Sequence, residues 1–289
     1  MNDKQLKNKI LELQRSEITE HIIYKKLAAV IKEDNNKKVL EKISADELRH
    51  YDFWKGLSGK DVKPDSFKIG FYVAAARILG LTFAIKLMER GEVNAQQVYS
   101  KLIPVYPEVG NIIRDEGEHE QQLINLLDEE RLQYVSSMVL GLNDALVELT
   151  GALAGFTLAL QNTRLVAIVG LITGIAASMS MAAAEYLSIK QEKTDKSPLK
   201  ASAYTGAAYV LTVLFLIFPY LIFTNIFVCL GLVVVNALLV ILLFTFYISV
   251  AKDVSFKKRF LEMAGISVGI AAINFFIGLL IRNVFGIEV

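Results

Sequence analysis

Cysteine is nearly absent from this chain of 289 residues. The one present, Cys229, lies in an apolar run, which excludes a disulfide framework and any Cys-x-x-Cys metal or redox module. Histidine is limited to 3 residues, so any pattern that several of them share carries weight. Net charge is only +1, and no basic stripe interleaved with aromatics is present, which argues against nucleic acid as a partner. The largest absence is local. Residues 1–132 hold 43 of the 61 charged side chains, leaving 18 for the longer stretch 133–289. The chain therefore reads as two domains, a water-soluble one over 1–132 and an apolar one over 133–289. The opening MNDKQLKNKILELQ is charged and lacks the apolar h-region of a cleavable signal peptide, so the soluble domain is expected in the cytoplasm.

The apolar domain reads as membrane. A bilayer core about 30 Å thick needs roughly 20 apolar residues in a helix, and five segments qualify, near 137–160, 164–189, 201–223, 225–250 and 260–283. Nothing polar remains to cover them as buried helices of a soluble protein. Lys190, Lys193, Lys196 and Lys200 fall in one connection and Lys252, Lys257, Lys258 and Arg259 in another, whereas the opposite side shows mainly Arg164 and Arg282. By the positive-inside rule, the soluble domain faces the cytoplasm and the C-terminus lies outside, giving a multi-pass protein of the cell membrane.

The soluble domain is expected to be helical. Apolar residues recur at three and four positions through LKNKILELQRSEITEHIIYKKLAAVI and NKKVLEKISADELRHYDFWKGL. SGKDVKPDS breaks that pattern, a third helix is expected from near Phe67 towards Tyr99, and Pro104 and Pro107 separate it from a fourth over roughly 108–130. Four helices with short connections suggest an antiparallel bundle, making the whole chain all-α.

Two of the three histidines end one pattern: Glu47-x-x-His50 on the second helix and Glu116-x-x-His119 on the fourth. Residues three apart share a helical face, so each pair can present a carboxylate and an imidazole to one metal. Helices one and three add Glu17-x-x-Glu20 and Glu89-x-x-Glu92, and Tyr24 and Tyr99 each follow a glutamate by seven residues. A Glu from each of two helices plus Glu-x-x-His from each of the other two is the ferritin-like di-metal pattern. Glu17 is preferred to Glu20 because its spacing to Tyr24 resembles that of rubrerythrins and bacterioferritins. Glu89 and Glu92 remain equal alternatives. Carboxylate oxygens with imidazole suit a di-iron site, or manganese, better than a tetrahedral zinc. Without a Cys-x-x-Cys rubredoxin module, a peroxidase has no visible electron relay.

In the apolar half, a carboxylate at the bilayer centre costs about 2.5–3.5 kcal/mol on insertion scales, which marks Asp144, Glu148 and Glu185 as functional candidates. Gly170, Gly174, Met181 and Glu185 share a face of the second span, and GALAG, GLITG and GISVG each repeat glycine at four, the spacing that lets helices approach closely. LGLNDALVELTGALAGF followed by GIAASMSMAAAEYLSIKQE resembles the first two spans of the vacuolar iron transporter family. That resemblance covers 133–289 and implies a homodimer that moves Fe²⁺, and often Mn²⁺, out of the cytoplasm in exchange for protons. By motif it assigns transport to Asp144 and Glu185, with Met179 and Met181 as soft ligands. Eukaryotic members carry a glutamate-rich metal-binding domain between spans two and three, where this chain has only KQEKTDKSPLK. The fusion as a whole resembles membrane-bound ferritins. The implied function is iron export by proton antiport, with the bundle capturing, oxidising or sensing metal. The alternative is a membrane-anchored ferroxidase or iron-storage protein whose spans serve only as anchor.

Overall fold

Ten α-helices, and no strand, make up the described residues of the computed structural model. These are residues 3–31, 33–125, 134–194, 196–252 and 254–285, with side chains described for all but 3–5, 91–98, 100–101, 124–125 and 285. The chain divides into two units, Met1–Glu129 and Glu130–Val289.

In the first unit, α1 (Asp3–Ala28) and α2 (Asp34–Ser58) pack side by side. Gly59 ends α2 in the left-handed region at φ 64°, its N–H donating to the Lys55 carbonyl. The Asp65 carboxylate then caps α3 (Ser66–Leu79) by accepting from the Lys68 N–H. The single third helix expected from 67 towards 99 is in fact two, α3 and α4 (Leu81–Leu102), divided at Gly80. Gly80 takes φ 103° and ψ 154°, a conformation that a Cβ all but forbids, so the chain turns where the apolar pattern alone runs on. With α5 (Val109–Asn125), the described part of this unit has five helices, where four were expected.

Two apolar clusters hold these helices. One joins Ile10 and Leu13 of α1 to Trp54, Tyr99, Leu102 and Ile112; the other joins Ile23 and Leu27 of α1 to Leu40, Ile43, Ile85 and Leu123. Along α1 the interval between the clusters carries Gln14 and Glu17, both buried. A buried polar layer thus separates two dry ones, and buried charge needs partners there.

The second unit contains α6 (Val135–Leu160), α7 (Thr163–Gln191), α8 (Pro198–Ile222), α9 (Ile226–Ala251) and α10 (Phe256–Phe285). All five are long and apolar enough to cross a membrane. Asn162 and Asn225 cap α7 and α9, each side-chain oxygen accepting two backbone N–H groups of the first turn. The core stripe of α9 is Cys229, Val233, Ala237 and Ile241, at every fourth residue, packed with Leu146, Leu149 and Leu153 of α6 and Tyr209 and Val213 of α8. Of the repeated glycines, Gly151, Gly155, Gly170 and Gly174 lie against neighbouring helices, but nothing stands near Gly265 or Gly269 of GISVG. The close approach on α10 is instead at Gly278, where a Cβ would meet the carbonyl of Gly155.

Candidate metal centre

The polar layer of the first unit is built from three helices. Glu17 comes from α1, Glu47 and His50 from α2, and Glu116 and His119 from α5. Glu17, Glu47, His50 and Glu116 each offer a ligand atom within 4.8 Å of the others. His50 Nδ1 lies 3.3 Å from Glu116 Oε1, 3.5 Å from Glu47 Oε2 and 3.7 Å from Glu17 Oε2. His119 Nδ1 faces the same group from 3.3 Å off Glu47 Oε1 and 3.7 Å off Glu116 Oε2. The two imidazole rings are 5.9 Å apart between centroids.

What surrounds these groups aims them. Trp54 Nε1–H and the Tyr99 hydroxyl both donate to Glu17 Oε1, at 3.0 and 2.8 Å, leaving Oε2 turned inward. Each imidazole meets an aspartate through its outer nitrogen: His119 Nε2 at 3.0 Å from Asp46, and His50 Nε2 at 3.4 Å from Asp115. Asp46 and Asp115 directly precede Glu47 and Glu116, so each helix supplies the carboxylate that orients the histidine of the other. Arg49 pairs with both aspartates. An Nε2–H held by a carboxylate leaves Nδ1 as the ligating nitrogen. Neither aspartate was singled out in the sequence, although the signal was there: both motifs read Asp-Glu-x-x-His.

The fit to metal rests on atoms that nothing else satisfies. Glu17 Oε2, Glu47 Oε2, His50 Nδ1 and His119 Nδ1 are buried without a hydrogen-bond partner. Such atoms are costly when left alone, and four of them converge on one layer, as ligands of a cation would. Oxygen and imidazole donors in this mixture suit a borderline or hard divalent ion. Without one, protons take its place. Burial opposes charge on His50 and His119, but the glutamates around them prevail, raising His50 above its ordinary 6.5 and His119 to about 10. Burial pushes Glu17 up to about 8, with the charges of Glu47 and Glu116 adding to it. On Glu116 the two histidines outweigh burial and bring the carboxyl down to about 2.

The remaining soluble-domain candidates are placed unevenly. Glu20 lies outside the group of four, its Oε1 accepting from Ser16, and burial together with the Glu17 and Glu116 charges pushes it to about 8. Glu89 is half-buried on α4 and also outside the group, and the Glu92 side chain lies outside the described residues. Tyr24 is buried in the second apolar cluster. Tyr99 serves Glu17 of another helix.

In the membrane unit, Glu185 of α7 is buried and accepts from the Ser137 hydroxyl at 2.5 Å. Ser137 is near the start of α6, and Asp144 lies about 10 Å further along that helix at 1.5 Å per residue. Asp144 is half-buried and accepts no hydrogen bond from the described residues. One turn beyond, Glu148 is exposed and accepts from the buried Tyr209 hydroxyl at 2.9 Å. Three carboxylates therefore stand at successive depths along α6. The face of α7 holding Gly170, Gly174 and Glu185 is packed within the chain, Gly170 on Leu153 and Gly174 on Val213. Met181 packs against the apolar core, whereas Met179 is 70% exposed.

Residues 135–196 match the VIT family. None of the curated proteins matches the chain, and none of the solved structures does. The VIT match covers α6 and α7, hence both Asp144 and Glu185, and lies wholly within the membrane unit. It suggests membrane transport of a metal, iron or manganese.

Proposed function

We propose that the chain exports Fe²⁺ or Mn²⁺ from the cytoplasm in exchange for protons, as a homodimer, and that its first unit is a ferritin-like bundle that gathers the metal. The observation that carries this reading is the VIT match over the two helices that bear Asp144 and Glu185. The metal-ready layer of Glu17, Glu47, His50, Glu116 and His119 supports it from the same chain. In the bundle those five side chains hold the ion, completed from α4 by Glu89 or Glu92. A bound redox metal there supplies a ferroxidase's chemistry. The Tyr99 and Trp54 donors fix Glu17, and the aspartates fix the histidines. In the membrane, Glu185 receives the cargo ion at the mouth and Asp144 deeper in. Each carboxylate holds either a proton or the metal, so inward proton flow discharges the ion it has replaced. With the positive-inside arrangement, the bundle faces the cytoplasm and the C-terminus lies outside.

Proteoliposomes test this directly. Purified protein should move Mn²⁺ or Fe²⁺ when a pH gradient is imposed, with or without oxygen, and Asp144→Ala should lower the initial rate at least tenfold. An Asp144→Ala rate equal to that of the parent chain would remove the assignment. Flux absent throughout, with oxygen-dependent Fe²⁺ oxidation retained, would favour the anchored ferroxidase.

A further inference from the structure

Where α9 ends and α10 begins, the membrane unit has a second polar feature, independent of the transport reading. A cleft of about 120 Å³ is walled by Phe244 and Ile248 of α9 and Met263 of α10, and its polar lining includes Asn143, Lys252 and Arg259. Lys252 and Arg259 make no ion pair or side-chain hydrogen bond among the described residues. Two other cations of the unit have partners: Lys196 bonds Ser136, and Lys190 lies over the Tyr186 ring. No carboxylate lines the cleft among the described residues, and Asp253 lies outside them.

We propose that this cleft binds the headgroup phosphate of an anionic phospholipid. The chemistry is that of a phosphate: a guanidinium fork, an ammonium and a side-chain amide line one small cleft. At about 120 Å³ the cleft has room for a phosphate group but not for acyl chains. The chains have their own place, because Leu243 and Phe246 of the same helix expose apolar surface. A free phosphate would be served by the cations and Asn143 alone. The walls of Phe244, Ile248 and Met263 would then stay wet without return, so the lipid is the occupant that uses the whole cleft. Basic pockets between spans are established sites for anionic headgroups.

Native mass spectrometry of the full chain in detergent tests the site, with phosphatidylglycerol, phosphatidylcholine or inorganic phosphate added. One phosphatidylglycerol should bind at least tenfold more tightly than phosphatidylcholine. The paired change Lys252→Gln and Arg259→Gln should abolish that preference. The pair Lys257→Gln and Lys258→Gln, which removes the same charge from positions that do not line the cleft, should keep it. Equal binding of the two lipids would overturn the proposal, as would equal loss in both paired variants. Displacement of phosphatidylglycerol by an equal concentration of inorganic phosphate would also overturn it.

Discussion

At the scale of single residues, the centre is defined less by its ligands than by what holds them. Asp46 and Asp115 each take the outer nitrogen of a histidine on the other helix, and Arg49 braces both. Loss of such an outer partner typically lowers metal affinity about 10- to 100-fold, because the ring is no longer aimed and the ligand loses basicity. Asp46→Asn and Asp115→Asn should each weaken Mn²⁺ binding within that range, whereas Asp61→Asn, in the connection after α2 and paired with Lys55, should leave it unchanged. The protein supplies its own reporter. Its single tryptophan, Trp54, is buried and donates to Glu17, so Mn²⁺ entering the layer should quench its fluorescence. A titration curve identical in Asp46→Asn and the parent chain would show that the aspartate does not orient His119.

At the scale of elements, the decisive positions are glycines, of two kinds. Gly80 divides α3 from α4 by its own backbone, and forcing a Cβ into that conformation costs about 1–3 kcal/mol. Gly80→Ala should lower the stability of the first unit by that amount, measured as the denaturation midpoint of Trp54 fluorescence. Gly278 matters through its neighbour, since a Cβ there would meet the Gly155 carbonyl where α6 and α10 cross. Gly278→Ala should lower the melting temperature of the membrane unit in detergent by several degrees, and Gly269→Ala, with nothing near it, should not. A glycine repeat in the sequence records only spacing. GISVG has the spacing without the contact, and Gly278 has the contact without the spacing, because the partner carbonyl belongs to a helix more than a hundred residues away. Gly80 was hidden for a related reason: an apolar run passes through it, and periodicity does not record φ.

At the scale of the molecule, the five apolar spans could be read from composition, since water and lipid each demand their own side chains. The two Glu-x-x-His pairs were legible because helical spacing fixes their faces. The cross-helix service of Tyr99 to Glu17 was not, for it depends on how α4 meets α1. What the first unit does with its charge follows from that assembled layer. Metal-free, it folds with protons on Glu17 and Glu20, both pushed from an ordinary 4.5 up to about 8, and on His119, pushed from 6.5 to about 10. A raised folded value stabilises while the proton stays bound. The histidine contribution is therefore whole below 6.5 and lost as pH rises towards 10, and the glutamate contribution is lost as pH rises from 4.5 through 8. Glu116 works the other way, its contribution present above 4.5 and lost as pH falls through about 2. The metal-free unit should thus weaken steadily between about pH 6 and pH 9. A metal ion held in this layer would take the seats of the Glu17 and His119 protons, so its binding would release them and strengthen as they become easier to lose. Thermal melts of the full chain followed at Trp54, with and without Mn²⁺, should show a larger metal-induced rise in melting temperature at pH 8 than at pH 6. A rise equal at both pH values would mean that the ion does not displace the protons of this layer and binds elsewhere in the chain.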